Sequence, residues 1–125
     1  MAQITRRGEQ SLLNVKSKQF AVEIVSMIKQ QNDWRLNSLY QQVLRSATSV
    51  HANIRESEFA QSPADFISKL SIARKEANET LGWLEILRDS DSISEQWSNR
   101  LYPICNELGA LLTASIKTIK RNNNL

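Results

Sequence analysis

The fold is decided by residues 45–89, which read RSATSVHANIRESEFAQSPADFISKLSIARKEANETLGWLEILRD. Apolar residues recur every three or four positions on both sides of a short break, Gln61-Ser62-Pro63, as they do in two consecutive amphipathic helices. Ser62 is a good N-cap, Pro63 fits the first helical position, and Asp65 suits the positive end of the helix dipole. The stretch therefore predicts two helices joined by a tight connection, the second beginning after Ser62.

Each of these two helices has a second stripe beside its core-facing one. In the helix before the break, the second stripe consists of polar and mostly small side chains, which let another helix approach closely. In the second helix the stripe places two isoleucines and a tryptophan in line with two glutamates, a pattern that a solvated face seldom has. Together the two stripes predict an oligomer interface made of Ser49, Asn53, Glu56, Ile72, Glu76, Glu79, Trp83 and Ile86.

Two further helices complete the fold. One of them precedes the pair and is predicted over residues 10–31. The helix with the polar stripe, the first of the pair described above, is predicted over residues 37–60. The last helix is predicted to open with a capping box, Ser92-x-x-Glu95, and to bend where Pro103 removes a backbone hydrogen bond. Four helices with short connections predict an all-α, antiparallel up-down-up-down four-helix bundle. The whole chain, residues 1–125, is expected to form this one domain, with frayed ends at residues 1–9 and 122–125.

The bulk composition agrees with a helical globular protein. The chain has 125 residues, of which 41% are apolar and 23% charged, and its 3 glycines and 2 prolines are too few for a turn-rich β fold. Its one cysteine excludes an intrachain disulfide and suits a reducing compartment. No apolar run is long enough to span a membrane, and no secretory signal follows the first residues. A cytoplasmic protein with no membrane partner is therefore expected.

The segment from Ser49 to Glu56, SVHANIRE, resembles the S-I-P-x-N-I-x-E-G pattern of the bacterial four-helix-bundle proteins encoded in 23S rRNA intervening sequences. The similarity extends over about residues 13–120. His51 replaces the usual proline and Ser57 the usual glycine, so this helix is expected to be straighter than in the family. Further matches are Asp65-Phe66-Ile67, Leu70-Ser71-Ile72-Ala73, Lys75-Glu76-Ala77-Asn78-Glu79-Thr80 and Trp83-Leu84.

The resemblance implies a left-handed bundle that assembles as a homo-pentamer. Nucleic-acid binding is the usual hypothesis for this family. Its architecture is similar to that of the accessory proteins of diversity-generating retroelements, which are basic pentamers that bind nucleic acid and a reverse transcriptase. The partners implied for this chain are therefore further copies of itself, RNA or DNA, and a nucleic-acid-processing protein.

Residues that could do chemistry are few. Glu76 and Glu79 could hold a metal or act as acid and base, but di-metal bundles also need Glu-x-x-His motifs. The only histidine, His51, has Thr48 three residues before it. No metal or other cofactor is predicted, and both glutamates are expected to pair with polar groups at a helix–helix or subunit contact. His51 is expected to be packed or hydrogen-bonded, and Cys105 to act as a small hydrophobic residue.

Basic residues gather at one end of the predicted bundle, where the first helix begins and the last helix ends. Acidic residues nearby, among them Glu9 and Glu58, dilute the charge, and the net charge of the chain is only +3. Phosphate binding and neutralisation of a helix C-terminus both account for such a cluster. The predicted nucleic-acid-binding residues are Arg6, Arg7, Lys16, Lys18, Lys117, Lys120 and Arg121.

Three functions follow from these observations. The first is a non-enzymatic, self-associating bundle that binds nucleic acid or a ribonucleoprotein weakly and without sequence preference. The second is an assembly or adaptor module whose partners are proteins only. The third, an enzyme with a site at Glu76 and Glu79, has the least support, because the sequence lacks a histidine spaced to complete it.

Overall fold

The computed structural model describes the backbone of residues 7–125 and the side chains of residues 12–125. Within this range the regular structure is entirely helical, which confirms the all-α prediction. A short 3₁₀ helix, Trp34–Leu36, precedes the second long helix. The four long helices are α1 (Arg7–Lys29), α2 (Asn37–Ser57), α3 (Pro63–Asp89) and α4 (Glu95–Asn122).

The helices form an antiparallel four-helix bundle. α2 packs between α1 and α3, and α4 closes the bundle by packing on both α3 and α1. The direction of α4 follows from its ion pairs with α1, since Lys16 pairs with Glu107 and the later residue Glu23 pairs with the earlier residue Arg100. The start of α1, the α2–α3 connection and the end of α4 therefore share one end of the bundle, called the lower end below. The α1–α2 and α3–α4 connections form the upper end.

The core runs the length of the bundle as two apolar clusters. Both clusters receive side chains from all four helices, so each half of the bundle depends on every helix. Most of these side chains are aliphatic and fully buried, and the removal of any one would leave a cavity in a closely packed interior. The lower cluster is built around Leu13, Ile54, Leu70 and Leu112, and the upper around Phe20, Val43, Leu84 and Leu108.

The start of α3 has the predicted cap. The Ser62 hydroxyl accepts a hydrogen bond from the Asp65 amide at 3.1 Å, and Pro63 occupies the first helical position. The Asp65 carboxylate in turn accepts from the Gln61 amide at 3.1 Å. These reciprocal bonds satisfy two amides that the helix itself leaves without partners, as in a capping box.

The start of α4 differs from the prediction. Ser94, and not Ser92, is the N-cap, because the Ser94 hydroxyl accepts from the Trp97 amide at 3.1 Å. Ser92 instead belongs to the end of α3, where its amide donates to the Leu87 carbonyl at 2.9 Å. Asp91 before it has a left-handed backbone, with φ of 54°, so α3 ends in a Schellman-type motif. The predicted capping box at Ser92 is therefore wrong.

The other helix ends lie within a few residues of their predicted positions. α1 spans Arg7–Lys29 where residues 10–31 were predicted, and α2 ends at Ser57 and not at residue 60. After Ser57, three successive amides bond to carbonyls three residues back, a tighter turn that directs the chain towards Ser62. Pro103 lies inside α4 without ending it.

Candidate nucleic-acid and assembly surfaces

One arginine of α2 joins two residues of the predicted second stripe of α3, which is called the seam below and comprises Ile72, Glu76, Glu79, Trp83 and Ile86. The Arg45 guanidinium lies 3.1 Å from Glu76 Oε2 and also pairs with Glu79. The Trp83 indole donates to Glu79 Oε2 at 3.2 Å. Within the chain the two glutamates therefore pair with polar groups at a helix–helix contact, the first of the two predicted alternatives. Arg45 was not among the predicted interface residues, although it also bonds to Gln42, three residues earlier on α2.

These pairs fix how the glutamates can act. Arg45 is half exposed, so its ion pairs are screened by solvent and add little to stability. Their main effect is to orient Glu76 and Glu79 towards α2. Among the residues whose side chains are described, no group of three or more His, Cys, Asp or Glu residues could hold a metal ion.

Beneath the Arg45 pairs lies a buried contact between small polar side chains. The Thr80 hydroxyl lies 2.7 Å from the Ser46 hydroxyl of α2 and also donates to the Glu76 carbonyl at 2.8 Å. Because both side chains are small and satisfied, α2 and α3 approach closely without burying an unpaired polar group. Neither Ser46 nor Thr80 is among the predicted interface residues.

The remaining residues of the predicted interface lie at or near the surface. Asn53 bonds along α2 to the carbonyl and hydroxyl of Ser49, at 2.9 and 3.1 Å, and Glu56 is exposed. Ile72 and Ile86, at the two ends of the α3 seam, are 40% and 49% exposed. The seam thus presents apolar side chains to the outside of the bundle.

The predicted cationic end is formed only in part. Arg6 and the side chain of Arg7 lie outside the described residues. Lys16 pairs with Glu107 at 2.6 Å, so part of its charge is neutralised. Arg55 is exposed at the same end and was not predicted. Its position as a basic residue in the last turn of α2 could have identified it. The exposed lower-end cations that form no ion pair with a described carboxylate are Lys18, Arg55, Lys117, Lys120 and Arg121.

The upper end has the opposite arrangement. Three of its arginines pair with carboxylates: Arg35 with Asp33, Arg88 with Asp89, and Arg100 with Glu23. Hydrogen bonds from Arg100 hold the pKa of the Glu23 carboxyl below its usual value. Cations are thus largely neutralised at the upper end and largely unneutralised at the lower end.

The two isolated titratable residues take the predicted structural roles. His51 is half buried, and its Nδ1 lies 2.9 Å from the Ser17 hydroxyl of α1. Burial, together with Arg55 and Lys18, lowers the pKa of this imidazole. Cys105 is buried, and its thiol donates to the Ala77 carbonyl at 3.3 Å. Burial raises the pKa of the Cys105 thiol to about 12, so it stays protonated near neutral pH.

Comparison with known proteins identifies the family. The family model described as 23S rRNA-intervening sequence protein matches residues 10–114. The chain is also similar to the crystal structure of a protein of unknown function from the S23 ribosomal protein family of Bacteroides thetaiotaomicron VPI-5482. The two are 42% identical with a TM-score of 0.78, over 87% of this chain and 98% of the other. No curated protein matches this chain.

The match to the family model spans most of the four helices described above, and the Bacteroides structure agrees with it. No helix in the described part of the chain is long and apolar enough to cross a membrane. The chain belongs to the 23S rRNA-intervening sequence protein family.

Proposed function

We propose that this protein is a non-enzymatic, self-associating bundle that binds the phosphate backbone of nucleic acid weakly and without sequence preference. The supporting observation is the separation of charge along the bundle. Apart from Lys16, the described cations of the lower end form no ion pairs with described carboxylates, whereas most of those at the upper end do. The family name, which refers to an intervening sequence of 23S rRNA, also supports a nucleic-acid partner.

Stabilisation of helix ends explains only part of the lower-end cluster. Arg55, Lys120 and Arg121 lie in the last turns of α2 and α4, where positive charge offsets the helix dipole. Lys18 lies in the middle of α1, and Lys117 lies more than a turn before the end of α4. Neither position has a helix end to stabilise, so phosphate binding accounts better for the whole set.

The lower end is suited to backbone contacts and not to base recognition. Lysine and arginine side chains there can neutralise phosphates, which fixes position without reading sequence. Phe59, in the α2–α3 connection, is 83% exposed and follows Arg55 by one turn. An exposed aromatic ring can stack on an unpaired base of any identity, which favours single strands.

Binding of labelled oligonucleotides at increasing salt tests the nucleic-acid proposal. Wild-type protein should bind mixed-sequence RNA and DNA at low salt and release them as salt is added. Replacing Lys117, Lys120 and Arg121 together by Gln should lower affinity for every sequence by a similar factor. If all three contact phosphates of a single strand, the salt slope should fall by about 2.

The matched control removes the same charge from the upper end. Replacing Lys29, Arg88 and Arg100 together by Gln should leave the affinity close to that of the wild type. Absence of binding at low salt, or full binding by the lower-end variant, would reject the proposal and favour a protein-only assembly module.

Self-association is proposed to use the α3 seam together with the neighbouring polar stripe of α2. The exposed Ile72 and Ile86 flank Trp83, and buried aromatic residues dominate the energy of many interfaces. The closed ring of five subunits that the family resemblance implies would raise the charge from +3 per chain to about +15 per assembly. Light scattering at micromolar concentration should give the mass of an oligomer, and a monomer mass would contradict this assembly.

The protein-only module remains the second candidate, because α1 also has an exposed apolar row. Its members point away from the core and are all at least a third exposed. Such a row is typical of a helix face that docks on another protein. The row comprises Leu12, Val15, Val22 and Val25. A nucleic-acid-processing partner and a cytoplasmic location remain predictions.

A further inference from the structure

A long groove separates α3 from α4 on the outside of the bundle. Its volume is about 880 Å³, within the range of about 300–1,000 Å³ that ligand pockets have. Most of the residues that line it have small side chains, which leaves the space between the two helices open. These small residues are Ser71, Ala77, Cys105, Gly109, Ala110, Thr113 and Ala114.

The walls of the groove are positively charged and rich in hydrogen-bond donors. Arg74 and Lys75 line it from α3, and neither forms an ion pair with a described carboxylate. Asn78 and Asn106 add amide groups from opposite sides. Neither an acidic nor an aromatic residue is found among the described residues that line the groove. The groove is therefore suited to an anionic ligand that offers oxygen acceptors along its length.

The groove continues into the lower-end cations. Lys117 and Lys120 follow Thr113 by four and seven residues on α4, a spacing that places all three on one face of the helix. A ligand leaving the groove at its lower end would therefore meet the two lysines of the proposed phosphate-binding surface.

We propose that this groove binds the sugar–phosphate backbone of a single-stranded nucleic acid. The inference rests on the proposed function and deepens it, since it names the form of the nucleic acid and its path. The groove has a volume of about 880 Å³, which gives room for a short stretch of one strand. The axes of packed helices lie about 8–10 Å apart, which limits the width of the groove, and a double helix is wider than its own major groove of about 12 Å and cannot enter. The small lining residues leave room for the strand, while Arg74 and Lys75 contact its phosphates.

A second copy of the chain, inserting its exposed α1 row, is the main competing occupant. The row is flanked by Lys18 and Lys29, which form no ion pair with a described carboxylate, whereas the nearby Lys16 and Glu23 are paired with Glu107 and Arg100. The groove also has positive walls, so the two surfaces would bring like charges together, which opposes association. Charge complementarity thus favours the polyanion over the second copy.

Filling the groove without changing its charge tests the inference. A Cβ atom added at Gly109 meets nothing within 4 Å, so Gly109→Gln should fold and project a side chain into the groove. Because glycine is a poor helix former, the variant should melt at the same temperature as the wild type or higher. Its affinity for single-stranded RNA and DNA of one sequence should fall about tenfold, equivalent to one lost charge-assisted contact.

A second glycine of the bundle provides the matched control. A Cβ atom at Gly82 also meets nothing within 4 Å, but Gly82 does not line the groove. Gly82→Gln should therefore bind both single strands like the wild type. In a separate variant, replacing Arg74 and Lys75 by Gln should lower affinity and reduce the salt slope by about 1.4 for single strands.

The outcomes separate this inference from the function on which it rests. If the Lys117/Lys120/Arg121 variant loses affinity but Gly109→Gln and the Arg74/Lys75 variant bind both single strands fully, the groove inference is wrong and the proposed function stands. If the wild type binds no nucleic acid, both fail. If Gly109→Gln changes the oligomer mass and leaves oligonucleotide affinity unchanged, the groove is a contact between protein chains and the inference is overturned.

Discussion

At the scale of single residues, the surroundings of His51 determine how readily its imidazole takes up a proton. Its ring contacts the Ser17 hydroxyl across the α1–α2 interface. Burial disfavours the imidazolium form, the positive charges of Arg55 and Lys18 disfavour it further, and Glu58 opposes them. The pKa of His51 in the folded protein is therefore below that of a free imidazole.

This shift predicts a loss of stability in mild acid. The unfolded chain, with an imidazole pKa of about 6.5, binds the proton before the folded chain does. Lowering the pH from about 7.5 to about 5.5 should therefore reduce the free energy of unfolding, and His51→Gln should remove that part of the loss. Thermal melts of both proteins at the two pH values measure it. Equal losses in both would show that His51 is not responsible.

Single residues also show where prediction from sequence stops. Helical spacing placed Glu76, Glu79 and Trp83 on one seam, and the structure joins them. The residue that links the two glutamates, Arg45, could not be identified, because its position on the helix does not fix where a long side chain will reach. The buried Thr80–Ser46 contact depends in the same way on how α2 and α3 are rotated against each other.

Among the helices, the ends were harder to predict than the helices themselves. Ser62 and Ser92 both look like N-caps in the sequence, and only Ser62 is one. Ser92 cannot cap α4 because α3 first ends at the left-handed Asp91. Ile93 must then reach the core before α4 can begin. The left-handed conformation of Asp91 could not be predicted from the sequence, because glycine is the usual residue in that conformation.

The position of the α4 cap gives a prediction for stability. Ser94→Ala removes the hydroxyl that accepts from the Trp97 amide and should lower the free energy of unfolding by about 1 kcal/mol. Ser92→Ala removes a hydroxyl whose partner is the Ser90 hydroxyl at the surface, so its effect should be no more than a few tenths of a kcal/mol. Urea denaturation compares the two variants. A larger loss for Ser92→Ala would restore Ser92 as the cap.

In the whole molecule, the order of the helices predicted which helix ends lie together, but not which basic residues there form ion pairs. An up-down-up-down bundle brings the start of α1 and the end of α4 together whatever the details of packing. The ion pair between Lys16 and Glu107 was not predictable, because it depends on the rotation of α1 against α4. The groove between α3 and α4 was missed for a similar reason, since Arg74 and Lys75 become neighbours of Asn106 only after packing.

If the protein is a ring, its affinity for nucleic acid should depend on assembly, because one chain has a net charge of only +3. Replacing Ile72 and Ile86 together by Gln adds no charge but removes the exposed apolar side chains of the seam. Light scattering should then give a monomer mass. Affinity for an oligonucleotide that spans several subunits should fall by about 100-fold or more, whereas affinity for one that reaches a single subunit should not change.

The control for that experiment is Trp34→Gln, which removes an aromatic side chain that is 77% exposed at the upper end, away from the seam. This variant should keep both the oligomer mass and the affinity for the long oligonucleotide. Affinity lost equally for long and short oligonucleotides would mean that the double replacement damaged the phosphate-binding surface and not the assembly. An oligomer mass for the Ile72/Ile86 variant would instead place the interface elsewhere, with the exposed row on α1 the next surface to change.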